Sequence, residues 1–183
     1  THVIRIASKD SSAAASQQTY DSYGQLRRVT HLVMGIPVML LANLRTPAGL
    51  VNGAMGHVVA VVLHPNKPNT SSADVRLAIS AEHIAYVVVD IPAYKGPAVF
   101  DGHPTWVPVP PLQVRHKKQR GWARYQVPLT PAYGITVHKS QGLTFPEGVV
   151  VDFGGSGNAN AVSQPGLAYV GMSRCTSWGK QAF

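Results

Sequence analysis

The chain has 183 residues, of which only 13% are charged, and Lys plus Arg outnumber Asp plus Glu by 16 to 8. The resulting net charge of +8 favours a polyanionic partner, most simply nucleic acid, although a basic surface without a specific partner gives the same number. The single cysteine, Cys175, excludes an internal disulfide, and no apolar run approaches the roughly 18 residues that a membrane helix needs. The first residues have no signal-peptide layout. Because the chain begins without an initiator Met and its end, "SWGKQAF", stops without a cap or tail, we expect a piece of a longer protein.

Short strands joined by turns are predicted for most of the chain up to about residue 127. Alternating apolar residues predict a strand in His2 to Ala7, and the small polar residues that follow predict a loop or a weak helix. The apolar run Gly35 to Leu44 predicts another strand, and the pair Asn52-Gly53 predicts a tight turn before a return strand at His57 to His64. A further strand is predicted at Tyr86 to Ile91, and the proline-rich sequence after it is extended at best.

The pattern changes after residue 127. A helix is predicted to begin at Thr130 as N-cap, with Pro131 at its first position. The run "GVVVDF" (148–153) is typical of a strand buried on both faces, and "GLAYVGMSR" (166–174) has helical spacing. The sequence therefore predicts a small barrel over residues 33–127 and an α/β layer over residues 128–183.

Hydrogen-bond donors are concentrated in "TVHKSQG", residues 136–142. Such a cluster suits the oxygens of a nucleic-acid backbone or of nucleotide phosphates, and Gly142 lets a ligand approach the backbone closely. The alternative is that the cationic side chains are solvated and that Gly142 only ends a helix. Farther on, Arg174 follows an apolar helix, where it is either a surface charge or a finger that neutralises a transferring phosphoryl group.

A basic stretch, "RHKKQRGWAR", occupies residues 115–124 and contains five Lys or Arg. Cations beside an aromatic ring hold single-stranded nucleic acid without sequence preference. We therefore take Lys117, Lys118, Arg120 and Trp122 as candidate DNA-binding residues. The alternative is a solvated hairpin tip with Trp122 packed against the barrel.

Three segments resemble superfamily 1 DNA helicases of the RecD/Pif type. "GITVHKSQGLTF" (134–145), the valine-rich strand that ends in Asp152, and "GLAYVGMSR" are similar to the last two motifs of that family. "MGIPVMLLANLRTPAGLVNGAMGHVVAVV" (34–62) resembles the segment that precedes them in the Pif branch. The likeness covers most of residues 33–178, in matching order.

The resemblance implies an α/β fold, namely a partial RecA-like parallel sheet with an inserted small all-β, SH3-like barrel. Residues 1–32 would form the N-terminal part of RecA-like domain 2A and a connector. Residues 33–127 would form the inserted barrel, domain 2B, with its loops. Residues 128–183 would return to domain 2A and carry the last two helicase motifs.

The resemblance also implies a role for each motif residue. Thr136, His138 and Lys139 are expected to contact the backbone of single-stranded DNA, and Ser140 is placed with them although it could serve either ligand. Gln141 and Gly142 are expected near the nucleotide phosphates. Arg174 matches the arginine finger, which is both nucleotide-binding and catalytic. The family more often has Ala where this chain has Gly171, and glycine weakens a helix by about 1 kcal/mol relative to Ala.

Two family motifs are absent from the 183 residues. There is no G-x-x-x-x-G-K-[ST] sequence, and no apolar strand ends in paired acidic residues. In the family both lie on a first RecA-like domain, which would also hold the Mg²⁺ of bound ATP. The chain alone is therefore expected neither to bind ATP tightly nor to hydrolyse it, and the scattered histidines predict no metal site.

The resulting hypothesis is the C-terminal fragment of an ATP-dependent DNA helicase. Its expected partners are single-stranded DNA, fork DNA and the missing N-terminal RecA-like domain, with no membrane partner. The expected location is intracellular, in the nucleus or mitochondrion of a eukaryote or the cytoplasm of a bacterium. One alternative is a non-catalytic nucleic-acid-binding module that retains the helicase fold without the motor. Another is a nuclease-linked or mobile-element replication protein that contains the same motor.

Overall fold

The computed structural model describes residues 3–65, 78–145, 148–152, 166–177 and 181–182. The chain divides into two compact units, Thr1–Tyr133 and Gly134–Phe183, which are described separately. The loops predicted over residues 65–74 and 154–166 lie almost entirely outside the described residues.

Short strands dominate the first unit. Its described strands are β1 (Ile4–Ala7), β2 (Lys9–Asp10), β3 (Val29–Leu32), β4 (Pro37–Leu40), β5 (Met55–Leu63), β6 (Ile79–Ser80), β7 (Ile84–Asp90), β8 (Trp106–Val109), β9 (Leu112–Arg115), β10 (Ala123–Gln126) and β11 (Leu129–Pro131). The α-helix α1 (Ala13–Ser16) has Ser12 as N-cap, whose side chain accepts a hydrogen bond from the Ala15 backbone N–H. Single 3₁₀ turns occupy Tyr20–Tyr23, Thr46–Ala48 and Ala81–His83.

These strands form mixed sheets. A five-stranded antiparallel sheet has the order β11-β4-β5-β7-β8. In a second sheet, β1 lies between an antiparallel neighbour, β3, and a parallel one, β6. A third sheet places β10 between β2 and β9. Because β1 and β3 build the same unit as β4 to β11, residues 3–32 pack with the predicted barrel segment.

The main core lies against the five-stranded sheet. Val87 and Val89 on β7 are at most 1% exposed, as is Val38 on β4. β-Branched residues fit a pleated surface that is buried, which is why these valine-rich runs form strands. Gly56 on β5 has no side chain because a Cβ there would overlap the carbonyl oxygen of Asp90. The strands predicted at residues 2–7, 35–44, 57–64 and 86–91 are confirmed within a few residues.

A buried ion pair joins the N-terminal segment to β10. The Arg124 side chain is 1% exposed, and its Nε donates to Asp10 Oδ1 over 2.6 Å. Its Nη1 donates to the Leu26 carbonyl oxygen over 3.0 Å, and its Nη2 donates to the Ser16 carbonyl oxygen over 3.4 Å. The second carboxylate oxygen of Asp10 accepts from the Ser8 hydroxyl. Both charges are therefore compensated by hydrogen bonds, as burial requires.

The second unit contains few described elements. They are a 3₁₀ turn (Val137–Ser140), the strands β12 (Val149–Val150) and β13 (Gln181–Ala182), and the helix α2 (Leu167–Met172). The two strands pair in parallel. The helix predicted within residues 166–174 is confirmed by α2. Among the described helices of the whole chain, none is long and apolar enough to cross a membrane.

Three local predictions are wrong. No helix begins at Thr130, because Leu129–Pro131 pairs with β4 as a strand and the only helical turn nearby is the 3₁₀ turn at residues 137–140. The direct hairpin predicted at Asn52-Gly53 is wrong, because a longer loop joins β4 to β5. The pair does occupy a tight turn before β5, in which the Ala54 backbone N–H donates to the Val51 carbonyl oxygen over 3.0 Å and Gly53 has a positive φ. The valine run is not buried on both faces, because Val150 is 77% exposed.

We predict that Arg124→Met lowers the free energy of unfolding by about 3 kcal/mol, because it leaves the Asp10 carboxylate buried without its cation. Urea unfolding followed by intrinsic tryptophan fluorescence measures this. Arg45→Met removes an exposed arginine and is the control, with an expected change below about 0.5 kcal/mol. The double variant Asp10→Asn, Arg124→Met is expected to recover part of the loss. Equal stability of Arg124→Met and the wild type would contradict this assignment.

Candidate nucleotide and nucleic-acid sites

Two distant segments of sequence meet in the second unit. Arg174 Nη1 donates to the Leu143 carbonyl oxygen over 3.3 Å, and the Phe145 backbone N–H donates to the Arg174 carbonyl oxygen over 2.8 Å. Phe145 and Cys175 also form a parallel β-bridge. Leu143 and Phe145 directly follow residues 136–142, which we call the donor-rich turn. The end of α2 therefore lies beside this segment, so the last two predicted motifs are neighbours.

Hydrogen bonds within the second unit fix the Arg174 side chain. Its Nε donates to the Val170 carbonyl oxygen over 2.8 Å, and its Nη2 donates to Ser173 Oγ over 2.7 Å. A guanidinium has five N–H groups, so three are used and each terminal nitrogen keeps one more. For these two N–H groups the described part of the chain shows no acceptor. They are suitably placed on one rigid fork to bind a phosphate oxygen.

The donor-rich turn exposes its second half. Gln141 and Gly142 are both exposed, and Gly142 has a φ of +78° with no atom within 4 Å of where a Cβ would lie. A left-handed φ favours glycine, and the open space leaves the backbone accessible to a ligand. The residues predicted to lie near nucleotide phosphates are therefore accessible, and they are next to Leu143, which Arg174 contacts.

In the first half of this turn, residues 136–140, the side chains differ in exposure. Thr136 and His138 are exposed, as a DNA contact requires, whereas the Lys139 side chain lies outside the described residues. Ser140 is only 5% exposed, and its hydroxyl donates to the Val137 carbonyl oxygen over 2.7 Å. Its hydroxyl proton therefore stabilises the turn, and a DNA contact at Ser140 stays a prediction without support from the geometry.

Close packing of α2 explains why position 171 is a glycine. It is buried, and a Cβ there would lie 3.0 Å from Val151 Cγ1 and 3.7 Å from both methyl groups of Val137. Glycine lets α2 approach the turn and the strand closely, at the cost in helix propensity that the sequence indicates. Since Arg174 has three hydrogen bonds, the weaker helix does not leave it unsupported.

The basic stretch of the first unit forms the tip of the hairpin between β9 and β10. His116 Nδ1 accepts hydrogen bonds from the backbone N–H groups of Lys118 and Gln119, each over 3.0 Å. The Lys117 backbone N–H donates to the Ser22 carbonyl oxygen over 3.2 Å. These bonds fix the tip, while Lys117, Lys118 and Arg120 expose their side chains.

Trp122 is half-buried beneath this tip. Its ring meets the His116 ring edge-on at 5.6 Å and packs on the smaller core formed by Ala15, Tyr23, Leu26 and Leu41. Trp122 also lines two open clefts, of about 480 and 860 Å³, that border Lys117 and Lys118. The packing alternative is therefore supported, and part of the ring still faces solvent-filled space.

Arg124 adds no charge to the exposed surface of this hairpin. The sequence counts it among five cations in ten residues, but the side chain is buried and paired with Asp10. The surface charge of this hairpin therefore comes from Arg115, Lys117, Lys118 and Arg120, all of which are exposed.

Sequence reasoning missed a second basic group in the first unit. Arg27 and Arg28 are exposed, and the Arg27 guanidinium carbon lies 5.1 Å from the centre of the Tyr20 ring. The available signal was the dibasic pair itself, seven residues after a tyrosine.

The described residues contain no cluster of three or more His, Cys, Asp or Glu placed to hold a metal ion.

Known proteins match this chain along most of its length. The family model described as "DNA helicase Pif1, 2B domain" matches residues 22–61. The ATP-dependent DNA helicase PIF7 of Trypanosoma brucei brucei is 37% identical over 151 residues, which are 78% of this chain and 14% of that protein. The ATP-dependent DNA helicase PIF1 of Danio rerio is 29% identical over 175 residues, covering 96% of this chain and 22% of that protein.

Solved structures agree in fold. A Bacteroides Pif1 bound to single-stranded DNA has a TM-score of 0.64 and 20% identity, with coverage of 100% of this chain and 35% of that one. The chain thus spans 14% to 22% of the length of the two curated relatives. The matching family model, the relatives and the shared fold together identify the chain as a member of the Pif1-type helicases of superfamily 1.

Proposed function

We propose that this chain is the part of an ATP-dependent DNA helicase that supplies one wall of the ATP cleft and part of the grip on single-stranded DNA. The observation that carries the proposal is the contact between Arg174 and Leu143, because it joins the finger to the exposed backbone at Gln141 and Gly142. Two curated relatives are themselves named ATP-dependent DNA helicases, which supports the same activity for the whole protein.

The proposed domain organisation follows the family. Residues 33–127 with their loops are assigned to an SH3-like barrel, domain 2B, and residues 128–183 to RecA-like domain 2A. Residues 1–32, which the resemblance assigns to domain 2A, instead belong to the same compact unit as the barrel segment. The 2B-domain match at residues 22–61 and the antiparallel sheet built from β4, β5 and β7 support the barrel. The parallel pair β12–β13 beside α2 supports a RecA-like layer.

Charge neutralisation is the proposed role of Arg174 in catalysis. Phosphoryl transfer needs positioning and neutralisation of charge more than covalent chemistry. The two remaining Nη N–H groups of Arg174 would bind the γ-phosphate, and the backbone at Gly142 would approach the phosphates beside them. The rest of the motor would hold Mg²⁺ and the other face of the nucleotide, so that hydrolysis requires domain closure.

DNA contacts are proposed for both units. Thr136, His138 and Lys139 would bind the DNA backbone a few residues from the nucleotide, which would couple domain closure to movement of the strand. Lys117, Lys118 and Arg120 would neutralise further phosphates, and the accessible part of Trp122 would contact a base. The Bacteroides structure that shares the fold is bound to single-stranded DNA, which supports this choice of polymer.

We predict that Arg174→Ala in the full-length protein lowers DNA-stimulated ATP hydrolysis about a thousandfold or more, because an arginine finger contributes that much to kcat. Release of phosphate from ATP measures the effect, and Arg45→Ala is the matched control. DNA binding by Arg174→Ala should stay within about twofold, since the proposed partner of Arg174 is the nucleotide and not the DNA. The 183-residue chain alone should release no phosphate; clear hydrolysis by it would favour a different motor, and unchanged kcat in Arg174→Ala would remove the finger.

The basic tip gives a separate prediction about salt. Lys117→Ala with Lys118→Ala should make the logarithm of DNA affinity fall less steeply with the logarithm of salt concentration. If each lysine neutralises one phosphate of a single strand, the slope should change by about 1.4. Arg45→Ala with Lys95→Ala removes two exposed cations elsewhere in the same unit and should leave the slope unchanged. An equal slope for both pairs would exclude the tip from the DNA contact.

A further inference from the structure

A third cleft, of about 370 Å³, lies beside the segment Thr19–Arg28 of the first unit and outside every site predicted from the sequence. Tyr20, Arg27 and Arg28 line it. Gln18 lines both this cleft and the 480 Å³ cleft that borders Lys117 and Lys118, so these two clefts are adjacent on the surface. A basic surface with an aromatic ring near each end, Tyr20 and Trp122, therefore extends beyond the hairpin tip.

The chain beside this cleft is held in an unusual conformation. Gln25 has a φ of +71° and follows Gly24 at +62°, and it is the one residue other than glycine with positive φ in the described parts of the chain. Such a residue costs of order 1 kcal/mol and persists only where its surroundings fix it. Here the Gln25 backbone N–H donates to the Tyr20 carbonyl oxygen over 2.9 Å, and its side-chain amide donates to Asp21 Oδ1 over 2.5 Å.

Buried groups also fix the backbone that carries the two arginines. The Leu26 carbonyl oxygen accepts from Arg124 Nη1 over 3.0 Å, and that of Arg27 accepts from Gln126 Nε2 over 3.2 Å. The Arg28 carbonyl oxygen accepts from the Ser8 backbone N–H over 2.8 Å. Three consecutive carbonyl groups thus point into the unit, and the exposed side chains of Arg27 and Arg28 extend from a rigid base.

The nearby acids are occupied by other partners. Asp10 is paired with Arg124 and also accepts from Ser8. The Asp21 carboxylate accepts from the neutral Gln25 amide, so it keeps its charge, and it lines the adjoining 480 Å³ cleft. Within the described residues, neither Arg27 nor Arg28 has a carboxylate partner. Arg27 instead lies over the ring of Tyr20, a residue that is 40% exposed. Two uncompensated guanidiniums and an accessible ring on a rigid segment suit a strand of phosphates and bases better than a neutral or cationic ligand.

We propose that Tyr20, Arg27 and Arg28 form a second contact for single-stranded DNA, in which a base stacks on Tyr20 and the adjoining phosphates bind the two arginines. The strand would continue past Gln18 to Lys117 and Lys118. The choice of DNA rests on the proposed function, whereas the site itself follows from the charge, exposure and rigidity of this segment.

Anisotropy of a fluorescein-labelled oligothymidine of 20 nucleotides, titrated with the 183-residue chain across a series of KCl concentrations, tests the proposal. Arg27→Ala with Arg28→Ala should weaken binding about tenfold near 0.1 M salt and change the salt slope by about 1.4, because two phosphate contacts are lost. Tyr20→Ala should weaken binding about fivefold or more with no change in slope, since stacking releases no counterion. Tyr20→Phe keeps the ring and should bind within about twofold of the wild type.

Controls separate the outcomes. Arg45→Ala with Lys95→Ala removes equal charge elsewhere and should leave affinity and slope unchanged. Arg27→Lys with Arg28→Lys keeps the charge and should retain the slope, which distinguishes phosphate binding from loss of folding. If the wild type binds but Arg27→Ala with Arg28→Ala behaves as the control pair does, this site is wrong and the proposed function stands. If the wild type does not bind the oligothymidine, DNA binding by this chain fails as a whole, and this site with it.

Discussion

The buried pair of Arg124 and Asp10 is the interaction on which the first unit depends. One guanidinium reaches a carboxylate and the carbonyl oxygens of Leu26 and Ser16, so it joins β2, the end of α1 and the segment before β3 to β10. The guanidinium also lies over the Tyr23 ring at 4.5 Å, and burial raises the pKa of the Tyr23 phenol. A buried ion pair adds little net stability compared with apolar packing. Here, however, the hydrogen bonds of Arg124 hold these segments in one arrangement. That arrangement fixes both ends of the basic surface.

The second unit uses an arginine in the opposite way. Arg174 also binds backbone carbonyl groups, but it is half-buried and keeps N–H groups that no described residue accepts. Gly171 makes this possible, because it allows α2 to approach Val137 and Val151. A substitution for Gly171 would therefore change the position of the finger relative to the donor-rich turn. The same residue type is a structural bridge in one unit and a candidate catalytic group in the other.

Much of the fold could be predicted from the sequence, and the failures have physical causes. Alternating and β-branched runs such as β5 and β7 identify strands because burial and pleat agree there. Thr130 and Pro131 have good helix-start chemistry, but pairing of Pro131 with Val38 outweighs it. The resemblance singled out Arg174 and residues 136–142, and no local pattern contains the contact between Arg174 and Leu143 that brings the two segments together. Arg124 could not be separated from the surface cations, since burial depends on a partner 114 positions away. Tyr20 and Arg27 were missed because their segment has the composition of a loop.

The proposed function requires DNA contacts on the basic surface of the first unit and DNA contacts on the donor-rich turn of the second. Photocrosslinking of an oligonucleotide that carries 5-iododeoxyuridine, followed by mass spectrometry of the digested protein, tests it most directly. We expect adducts in peptides that contain Tyr20 or Trp122 and in the peptide that spans residues 136–142. Adducts confined to other surfaces, such as the exposed loop around His103, would contradict it.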